Sequence, residues 1–230
     1  MIKVINNFLP KTLFNYMKLL VENENDMFWN FNPTNLLPGD KTPGAENYKL
    51  AKNLYVHPST SGDGKEIYDK ELMTLFRLFP QYIMNHMQPK CVGNPKDNNV
   101  CRLIKMKMNL YPKQSVNLKH GVHSDISENG RPRTDVVTSV FNFTTCNGST
   151  IVYERDKNGN FSNDSKELVV PSIENSIVIF NNVHPHYAIT QSDTSTRIVL
   201  NTNIVKADVD SFGPPDENGI EQYEPLDDYF

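Results

Sequence analysis

Hydrophobic and polar positions follow two different periods in the two parts of the chain. In roughly the first hundred residues, apolar side chains recur at offsets of three and four, which is typical of helices with one buried face. After Cys101 apolar and polar residues alternate, which is typical of strands. The change of period predicts a helical first part and a strand-rich second part.

The first part is predicted to open with a short strand at 2–5 and to continue into a helix from about Pro10, because proline is tolerated in a first helical turn. A second helix is predicted over 66–79, and Pro80 should break or restart it. Residues 26–65 are rich in Asn, Pro and Gly and predict irregular structure with one strand. The apolar face of the first helix consists of Leu13, Phe14, Met17, Leu20 and Val21.

The alternating part predicts several strands bounded by turn-forming residues. Helices followed by many strands favour a mainly β fold of the α+β class. We expect a double-stranded β-helix, or jelly-roll, core with flanking N-terminal helices. The predicted strands cover 50–57, 104–111, 134–144, 149–154, 167–170, 176–181 and 196–205.

A chain of 230 residues fits one domain. We assign that domain to 1–205, with the helical part at 1–100 and the jelly-roll core at 101–205. The tail, 206–230, is strongly acidic and predicts a solvated segment, with a lid or a partner contact as the alternative.

Composition argues against several classes of protein without excluding a locally basic groove. A formal net charge of -4 provides no overall attraction for nucleic acid or an anionic membrane. The 3 cysteines lack CxxC spacing, so neither a disulfide framework nor a zinc site is predicted. Without a signal peptide or a transmembrane run, a soluble, cytoplasmic location and no membrane partner are expected.

The candidate chemistry begins with His123-Ser-Asp125. In extended backbone, residues two apart share a face, so this imidazole and this carboxylate can meet one metal ion, and both suit Fe(II) or Mn(II). A third ligand could come from His184 or His186, which follow an apolar strand. Arg197 lies on the polar face of the last strand, where it would face either solvent or an anionic ligand that its planar fork can bind.

This ordered set resembles the Fe(II)/2-oxoglutarate-dependent oxygenases, in particular their prolyl 4-hydroxylase-like branch. The family order is a tyrosine, His-x-Asp, Gly-x-Thr, an apolar strand ending in Phe, a histidine, and an arginine or lysine. The resemblance covers roughly residues 100–205. The matching segments are Asn109-Leu-Tyr111-Pro, His123-Ser-Asp125, Asn147-Gly-Ser-Thr150, Val178-Ile-Phe180, Pro185-His186 and Thr196-Arg197.

The resemblance implies a catalytic iron held by His123, Asp125 and His186. His186 is favoured over His184 because it follows a proline, as in some relatives, and because its spacing to the arginine is near that of the family. The resemblance also implies that Arg197 pairs with the distal carboxylate of 2-oxoglutarate. Further residues implied to hold this co-substrate are Tyr111, Thr150 and Asn142, the last standing where relatives often carry a second tyrosine.

The implied activity is that of a dioxygenase using Fe(II), 2-oxoglutarate and O₂. It would hydroxylate a substrate while 2-oxoglutarate is converted to succinate and CO₂. Two alternatives remain open: a cupin-like metal enzyme that does not use 2-oxoglutarate, and a non-catalytic jelly-roll binding module. The substrate is unknown from sequence; a peptidyl (such as prolyl) or small-molecule substrate is favoured, and Lys105 and Lys107 keep nucleic acid open. Sequence does not predict the oligomeric state.

Overall fold

The computed structural model describes residues 2–23, 29–32, 49–61, 63–87, 99–155, 161–162 and 165–208. Within these residues the chain forms three α-helices, a short 3-10 helix at Pro58–Thr60 and thirteen strands. The helices are α1 (Lys11–Glu22), α2 (Lys70–Phe76) and α3 (Leu78–Met87). The strands are β1 (Ile2–Ile5), β2 (Asn30–Asn32), β3 (Lys49–Val56), β4 (Ile67–Tyr68), β5 (Asn99–Pro112), β6 (Ser127–Glu128), β7 (Arg131–Pro132), β8 (Val136–Asn142), β9 (Cys146–Tyr153), β10 (Glu167–Ser172), β11 (Ser176–Asn181), β12 (His186–Ile189) and β13 (Thr196–Asp208).

The predicted second helix is two helices in the structure. Asp69 caps the start of α2, since its carboxylate accepts a hydrogen bond from the backbone N–H of Leu72 at 3.1 Å, and the helix ends before Arg77. α3 then starts at Leu78, so Pro80 lies in its first turn. A proline there costs little because the N–H groups of the first turn have no intrahelical acceptor.

A large antiparallel sheet carries most of the fold. Its strand order is β1-β11-β8-β13-β5-β3-β2, with β4 paired to the edge of β3. A second sheet has the order β10-β9-β12, and β6 pairs with β7. This arrangement confirms the prediction of a mainly β, jelly-roll core with helices outside it.

The two faces of the large sheet have different partners. One face packs against the helices through Met106, Leu200 and other apolar side chains in the largest core cluster. The opposite face looks toward the second sheet across a cavity. Because neighbouring residues of a strand point to opposite faces, the apolar positions of β5 and β13 determine which of their polar residues enter that cavity.

Aromatic packing fixes the central strand β8 against the helices. Phe141 lies 4.9 Å from Phe79 and 4.9 Å from Phe143 between ring centroids, both in edge-on arrangements. Phe14 of α1 stacks on Phe143 at 6.3 Å. Full burial of such a side chain stabilises the fold by about 1.5–3 kcal/mol.

Beyond the predicted elements, the structure adds the short strands β2, β4, β6, β7 and β12. β13 continues to Asp208, three residues into the segment assigned to the tail; residues 209–230 lie outside the described part of the chain. No helix in the described residues has the length and apolar character needed to cross a membrane.

Candidate metal centre

His123 and His186 are brought together by their own backbones. The N–H of His123 donates to the carbonyl of His186 at 3.0 Å, and the N–H of His186 donates to the carbonyl of His123 at 2.9 Å. This antiparallel bridge places the two residues directly opposite each other, with ring centroids 4.5 Å apart. Strand β12 holds His186 in place by pairing it with Val152 of β9.

Asp125 completes a compact donor set. Its Oδ1 lies 3.5 Å from Nε2 of His123 and 3.5 Å from Nε2 of His186. The ligand atoms of the three residues all lie within 4.8 Å of one another. Two imidazoles and one carboxylate form the donor set of a facial triad, which leaves other positions of a metal ion open.

The environment of His186 fits a metal ion. The residue is 4% exposed, yet neither ring nitrogen has a hydrogen-bond partner among the residues that the structure describes. An unsatisfied buried polar atom is costly, and coordination to a metal would remove that cost. His123 differs because its Nδ1 lies 3.0 Å from the carbonyl oxygen of Gly121, which can orient the ring with Nε2 free for a ligand.

Electrostatics keep the carboxylate ionised. Burial alone would raise the pKa of Asp125, but the neighbouring His186 and His123 hold it well below its ordinary value. Burial also opposes protonation of His123, yet its contact with Asp125 raises the His123 pKa overall. The carboxylate is therefore available as an anionic ligand across the physiological pH range.

Asn203 positions the other oxygen of the carboxylate. Its Nδ2 donates to Oδ2 of Asp125 at 3.0 Å and to Oγ1 of Thr138 at 3.0 Å. Thr138 therefore supports the ligand set through Asn203. Hydrogen bonds of this kind orient metal ligands and tune their basicity.

Asn182 anchors the chain immediately after the His-x-Asp segment. Its Oδ1 accepts from the N–H of Ile126 at 3.1 Å, and its Nδ2 donates to the carbonyls of Ile126 at 2.6 Å and Arg133 at 3.1 Å. The side chain thus replaces a strand partner for this segment. Sequence reasoning missed both Asn203 and Asn182, because an asparagine carries no pattern that reveals its distant partner.

His184 lies apart from the donor set. Its Nδ1 is 3.0 Å from the carbonyl oxygen of Tyr153, and its backbone N–H donates to Asn181 in the turn after β11. The three-residue group that could hold a metal contains His186 and not His184.

Arg197 is a buried cation within the same cavity. Its side chain is among the most completely buried in the described structure, at 1% exposure. The guanidinium donates to Oγ1 of Thr150 at 3.1 Å, Oγ of Ser172 at 3.3 Å and the carbonyl of Ile189 at 3.2 Å. All three acceptors are neutral, and burial lowers the Arg197 pKa. Since a buried charge without an opposite charge is costly, this environment fits an anionic ligand.

Tyr111 and Gly148 shape the space around this arginine. Tyr111 pairs with Arg197 in the β5–β13 register, and its ring centroid lies 5.8 Å from Cζ of the guanidinium. A Cβ atom on Gly148 would stand 3.0 Å from the carbonyl oxygen of Ile189 and 3.1 Å from Cδ of Arg197. The glycine of the Asn147-Gly-Ser-Thr150 segment therefore leaves the room that Arg197 occupies.

Asn142 does not line the cavity. Its Nδ2 donates to Oγ of Ser176 at 3.1 Å, and its Oδ1 accepts from Oγ of Ser172 at 3.1 Å. Because Ser172 also accepts from Arg197, Asn142 is connected to the arginine through one intervening hydroxyl.

One cavity of about 250 Å³ connects the donor set to the arginine. The structure thus brings six of the seven predicted site residues to a common space and leaves Asn142 behind its wall. Sequence reasoning did not anticipate Lys49 there. Residues lining the cavity include His123, Asp125, His186, Arg197, Tyr111, Thr150, Lys49, Lys105, Lys107 and Asn203.

No protein-family model matches the sequence, and no curated protein matches it. Solved structures do resemble it in three dimensions. An oxidoreductase of the 2-oxoglutarate–Fe(II) oxygenase family from Burkholderia pseudomallei is similar with a TM-score of 0.61 at 10% identity, over 89% of this chain and 84% of that one. The non-heme α-ketoglutarate-dependent epimerase SnoN of nogalamycin biosynthesis reaches 0.57 at 10% identity, over 89% and 77%.

A prolyl hydroxylase from Trichoplax adhaerens, solved with a peptide fragment of the hypoxia-inducible factor, has a TM-score of 0.52 at 15% identity over 90% of this chain and 83% of that one. These neighbours include a hydroxylase and an epimerase, so the shared architecture does not by itself specify a reaction. The chain has the fold of the 2-oxoglutarate–Fe(II) oxygenases, the prolyl hydroxylases among them.

Proposed function

We propose that this protein is an Fe(II)- and 2-oxoglutarate-dependent dioxygenase that hydroxylates its substrate. One oxygen atom of O₂ enters the substrate and the other enters succinate, formed with CO₂ from 2-oxoglutarate. The observation that carries the proposal is a single cavity that holds a compact His-Asp-His donor set and a buried arginine, for which the described residues provide no acidic partner. The donor set fits Fe(II), and the buried arginine fits a carboxylate of 2-oxoglutarate.

The proposed iron ligands are His123, Asp125 and His186. When bound, iron(II) would supply the redox chemistry that couples decarboxylation of 2-oxoglutarate to oxidation of the substrate by O₂. The residues of the chain orient the ligands: Asn203 holds the carboxylate, and the carbonyl of Gly121 fixes one imidazole. His186 is favoured over His184 because its ring lies in the donor set.

The proposed 2-oxoglutarate site is centred on Arg197. Its guanidinium would pair with the distal carboxylate, and the hydroxyls of Thr150 and Tyr111, which line the same cavity, are available for further hydrogen bonds. For Asn142 we propose a supporting role, in which it holds the Ser172 hydroxyl that contacts the guanidinium. Val140 and Val199 give the cavity apolar wall segments that exclude water from part of it.

Two alternatives make different predictions. A cupin-like enzyme that does not use 2-oxoglutarate does not require a buried arginine in the same cavity as the metal. Here Arg197 lines that cavity and its side chain is almost completely buried. A non-catalytic jelly-roll module does not require a metal donor set with unsatisfied buried nitrogens. Within the enzyme proposal, a peptidyl or small-molecule substrate remains favoured.

The test is to add Fe(II) and 2-oxoglutarate to the protein without oxygen. The measurement is the weak visible charge-transfer band of the chelate that 2-oxoglutarate forms with the iron. We expect the band with the wild-type chain. Arg197→Met should weaken 2-oxoglutarate binding by about 30-fold or more, since it removes one member of a desolvated charge pair. Fe(II) affinity should change much less. The absence of the band, together with no thermal stabilisation by the two additives, would refute the proposed function.

The choice of distal ligand has its own matched pair of variants. His186→Ala should abolish the band because it removes a donor, whereas His184→Ala should retain it because that ring lies outside the donor set. The opposite result would assign the distal position to His184.

A further inference from the structure

Three lysines line the cavity beside the proposed metal centre. Lys49 comes from β3, and Lys105 and Lys107 come from the adjacent strand β5. The alternation of β5 explains the direction of two of them: Met106 and Met108 are buried in the core beneath the helices, so Lys105 and Lys107, each next to Met106, face the opposite way. Their positions follow from the same pattern that builds the core.

These lysines form no salt bridge with a described residue, although Asp125 attracts Lys49 and Lys107 at longer range. Among the described residues, no side-chain hydrogen bond is recorded for Lys49, Lys105 or Lys107, and the Nζ of Lys49 lies over the Tyr111 ring, 6.0 Å from its centroid. Lys52, also on β3, does have an acidic partner, because its Nζ lies 2.7 Å from the carboxylate of Asp69. The cavity lysines are therefore an exception within their own sheet.

The charges proposed for iron and 2-oxoglutarate do not neutralise them. Arg197 and a divalent ion supply three positive charges, while Asp125 and doubly charged 2-oxoglutarate supply three negative charges. Asp125 is the sole carboxylate among the described residues that line the cavity, so these residues leave the lysine charges unbalanced after the site is filled.

The register of β5 and β13 separates two lysines from the proposed 2-oxoglutarate site. Lys105 pairs with Asn203 and Lys107 with Asn201, whereas Arg197 pairs with Tyr111. At about 3.3 Å per residue, the backbone of Asn201 lies roughly 13 Å along β13 from that of Arg197. Lys105 thus enters the cavity at the level of Asn203, the residue that holds Asp125, and Lys107 enters at the level of Asn201, two residues away on β13.

Burial adds to the cost of this arrangement. Desolvation, together with the positive charges of Lys49 and Lys105, lowers the pKa of Lys107 to about 8. Burial similarly lowers the pKa of Lys49. An anion among the three ammonium groups would oppose the lowering of both pKa values, because a nearby opposite charge favours the protonated lysine.

We propose that Lys49, Lys105 and Lys107 bind an oxyanion group of the substrate, a phosphate or a carboxylate, and thereby hold it next to the metal centre. This inference rests on the proposed function for the meaning of "substrate", but the anion site itself is defined by the lysines alone. Lysine is suited to this task because its ammonium acts as a point charge for phosphate and carboxylate oxygens.

The test measures binding of inorganic phosphate and of acetate by titration calorimetry at constant ionic strength. It uses the full chain, both alone and anaerobically with Fe(II) and 2-oxoglutarate. Lys105→Gln and Lys107→Gln should each weaken binding of the preferred anion by about tenfold, the usual worth of a charged hydrogen bond. Lys65→Gln is the matched control, since it removes the same charge from an exposed loop residue and should leave binding unchanged.

The two anions distinguish the two sources of the oxyanion. Tighter binding of phosphate assigns the site to a phosphorylated substrate, and tighter binding of acetate assigns it to a carboxylate. Binding of neither anion, or binding that the lysine variants do not change, would overturn the inference. So would a result in which the lysine variants weaken 2-oxoglutarate as strongly as Arg197→Met does.

Failure of the inference and failure of the proposed function give different results. If lysine-dependent anion binding occurs but no charge-transfer band forms with Fe(II) and 2-oxoglutarate, the anion site stands and the dioxygenase proposal fails. If the band forms without lysine-dependent anion binding, the dioxygenase proposal stands and the anion site is refuted. Thermal unfolding checks that each variant is folded, and we expect no loss of stability when a half-buried lysine without a salt bridge becomes glutamine.

Discussion

Asn203 shows how much of the metal centre depends on single hydrogen bonds. Its one amide group contacts both Asp125 and Thr138, so it fixes the carboxylate relative to the central strand β8. No other donor to Oδ2 of Asp125 is present among the residues that the structure describes. The residue acts by positioning a ligand and does not itself belong to the donor set.

Asn203→Leu should weaken divalent metal binding by about 10- to 100-fold, the usual effect of losing a partner of a metal ligand. Titration with Co(II), followed by its visible absorption, measures this affinity. Asn201→Leu is the control, because Asn201 also lines the cavity two residues away on the same strand but has no hydrogen bond to Asp125. Equal losses in the two variants would show that Asn203 has no specific role.

Gly148→Ala should reduce both stability and 2-oxoglutarate affinity. The new methyl group would approach the backbone at Ile189 and the side chain of Arg197, and overpacking of this kind costs about 1–3 kcal/mol. Thermal unfolding and titration of 2-oxoglutarate against the Fe(II) protein measure the two effects.

Gly64→Ala provides the contrast for that variant. Gly64 has a φ of +70° but open space around its position, so alanine there should cost about 1 kcal/mol through backbone strain. Its 2-oxoglutarate affinity should not change. If Gly148→Ala binds 2-oxoglutarate as tightly as the wild type, Gly148 has no part in placing Arg197.

The helices and the short strands contribute to the site in different ways. α1 and α3 cover one face of the large sheet and contain no cavity residue, so they act by fixing β8 through aromatic contacts. β12 has only four residues, yet it delivers His186 to a position opposite His123. A short strand can perform this task because β9 holds it along its length.

Met17→Ala in α1 should destabilise the fold by about 2–5 kcal/mol, because it leaves a void beneath the central sheet. Met17 is 0% exposed, whereas Leu19 on the opposite side of the helix is 71% exposed. Leu19→Ala should therefore stay within about 0.5 kcal/mol of the wild type. Urea unfolding of the two variants tests this, and similar losses would contradict the assignment of the buried face.

The protein as a whole and its cavity carry opposite charge. The chain has a net charge of -4, while four of the five formally charged residues lining the cavity are cations. Cationic walls concentrate field lines inside a cavity and attract anionic ligands in spite of the overall charge. Anion binding should accordingly weaken as salt is added.

Lys107 should give the protein a measurable pH dependence. Its pKa is about 8 in the folded chain and near its ordinary 10.5 when unfolded, so between these values the folded state binds fewer protons. Stability of the ligand-free protein should rise with pH in this window, since the unfolded state binds more protons there.

Phosphate affinity should fall over the same window, because Lys107 loses its charge among Lys49, Lys105 and Asp125. Thermal unfolding and calorimetry at a series of pH values measure the two trends. Lys107→Gln should make the pH dependence of stability and the pH dependence of phosphate affinity smaller than in the wild type. Unchanged trends in that variant would assign them to other groups.

Sequence patterns predicted the parts of the fold that repeat at short range. The spacing of apolar residues predicts which faces of α1, β5 and β13 are buried. The turn-forming residues on either side of β11 predict its bounds, which agree with the observed strand. β12 was missed because four residues next to a proline give too few positions for a period to be recognised. The position at which α2 begins depends on local capping by Asp69, which a search for apolar periodicity does not detect.

By itself, the sequence determined the mainly β fold class, the alternation that points Arg197 and the lysines away from the core, and the residue types of the candidate site. Only the tertiary structure separated His186 from His184, placed Asn142 behind Ser172, and brought Lys49 to the same cavity as Lys107. The reason is physical: periodicity specifies the face on which a side chain lies, whereas the meeting of side chains depends on strand pairing between distant segments. His123 and His186 are 63 positions apart in the chain, and a single backbone bridge makes them neighbours.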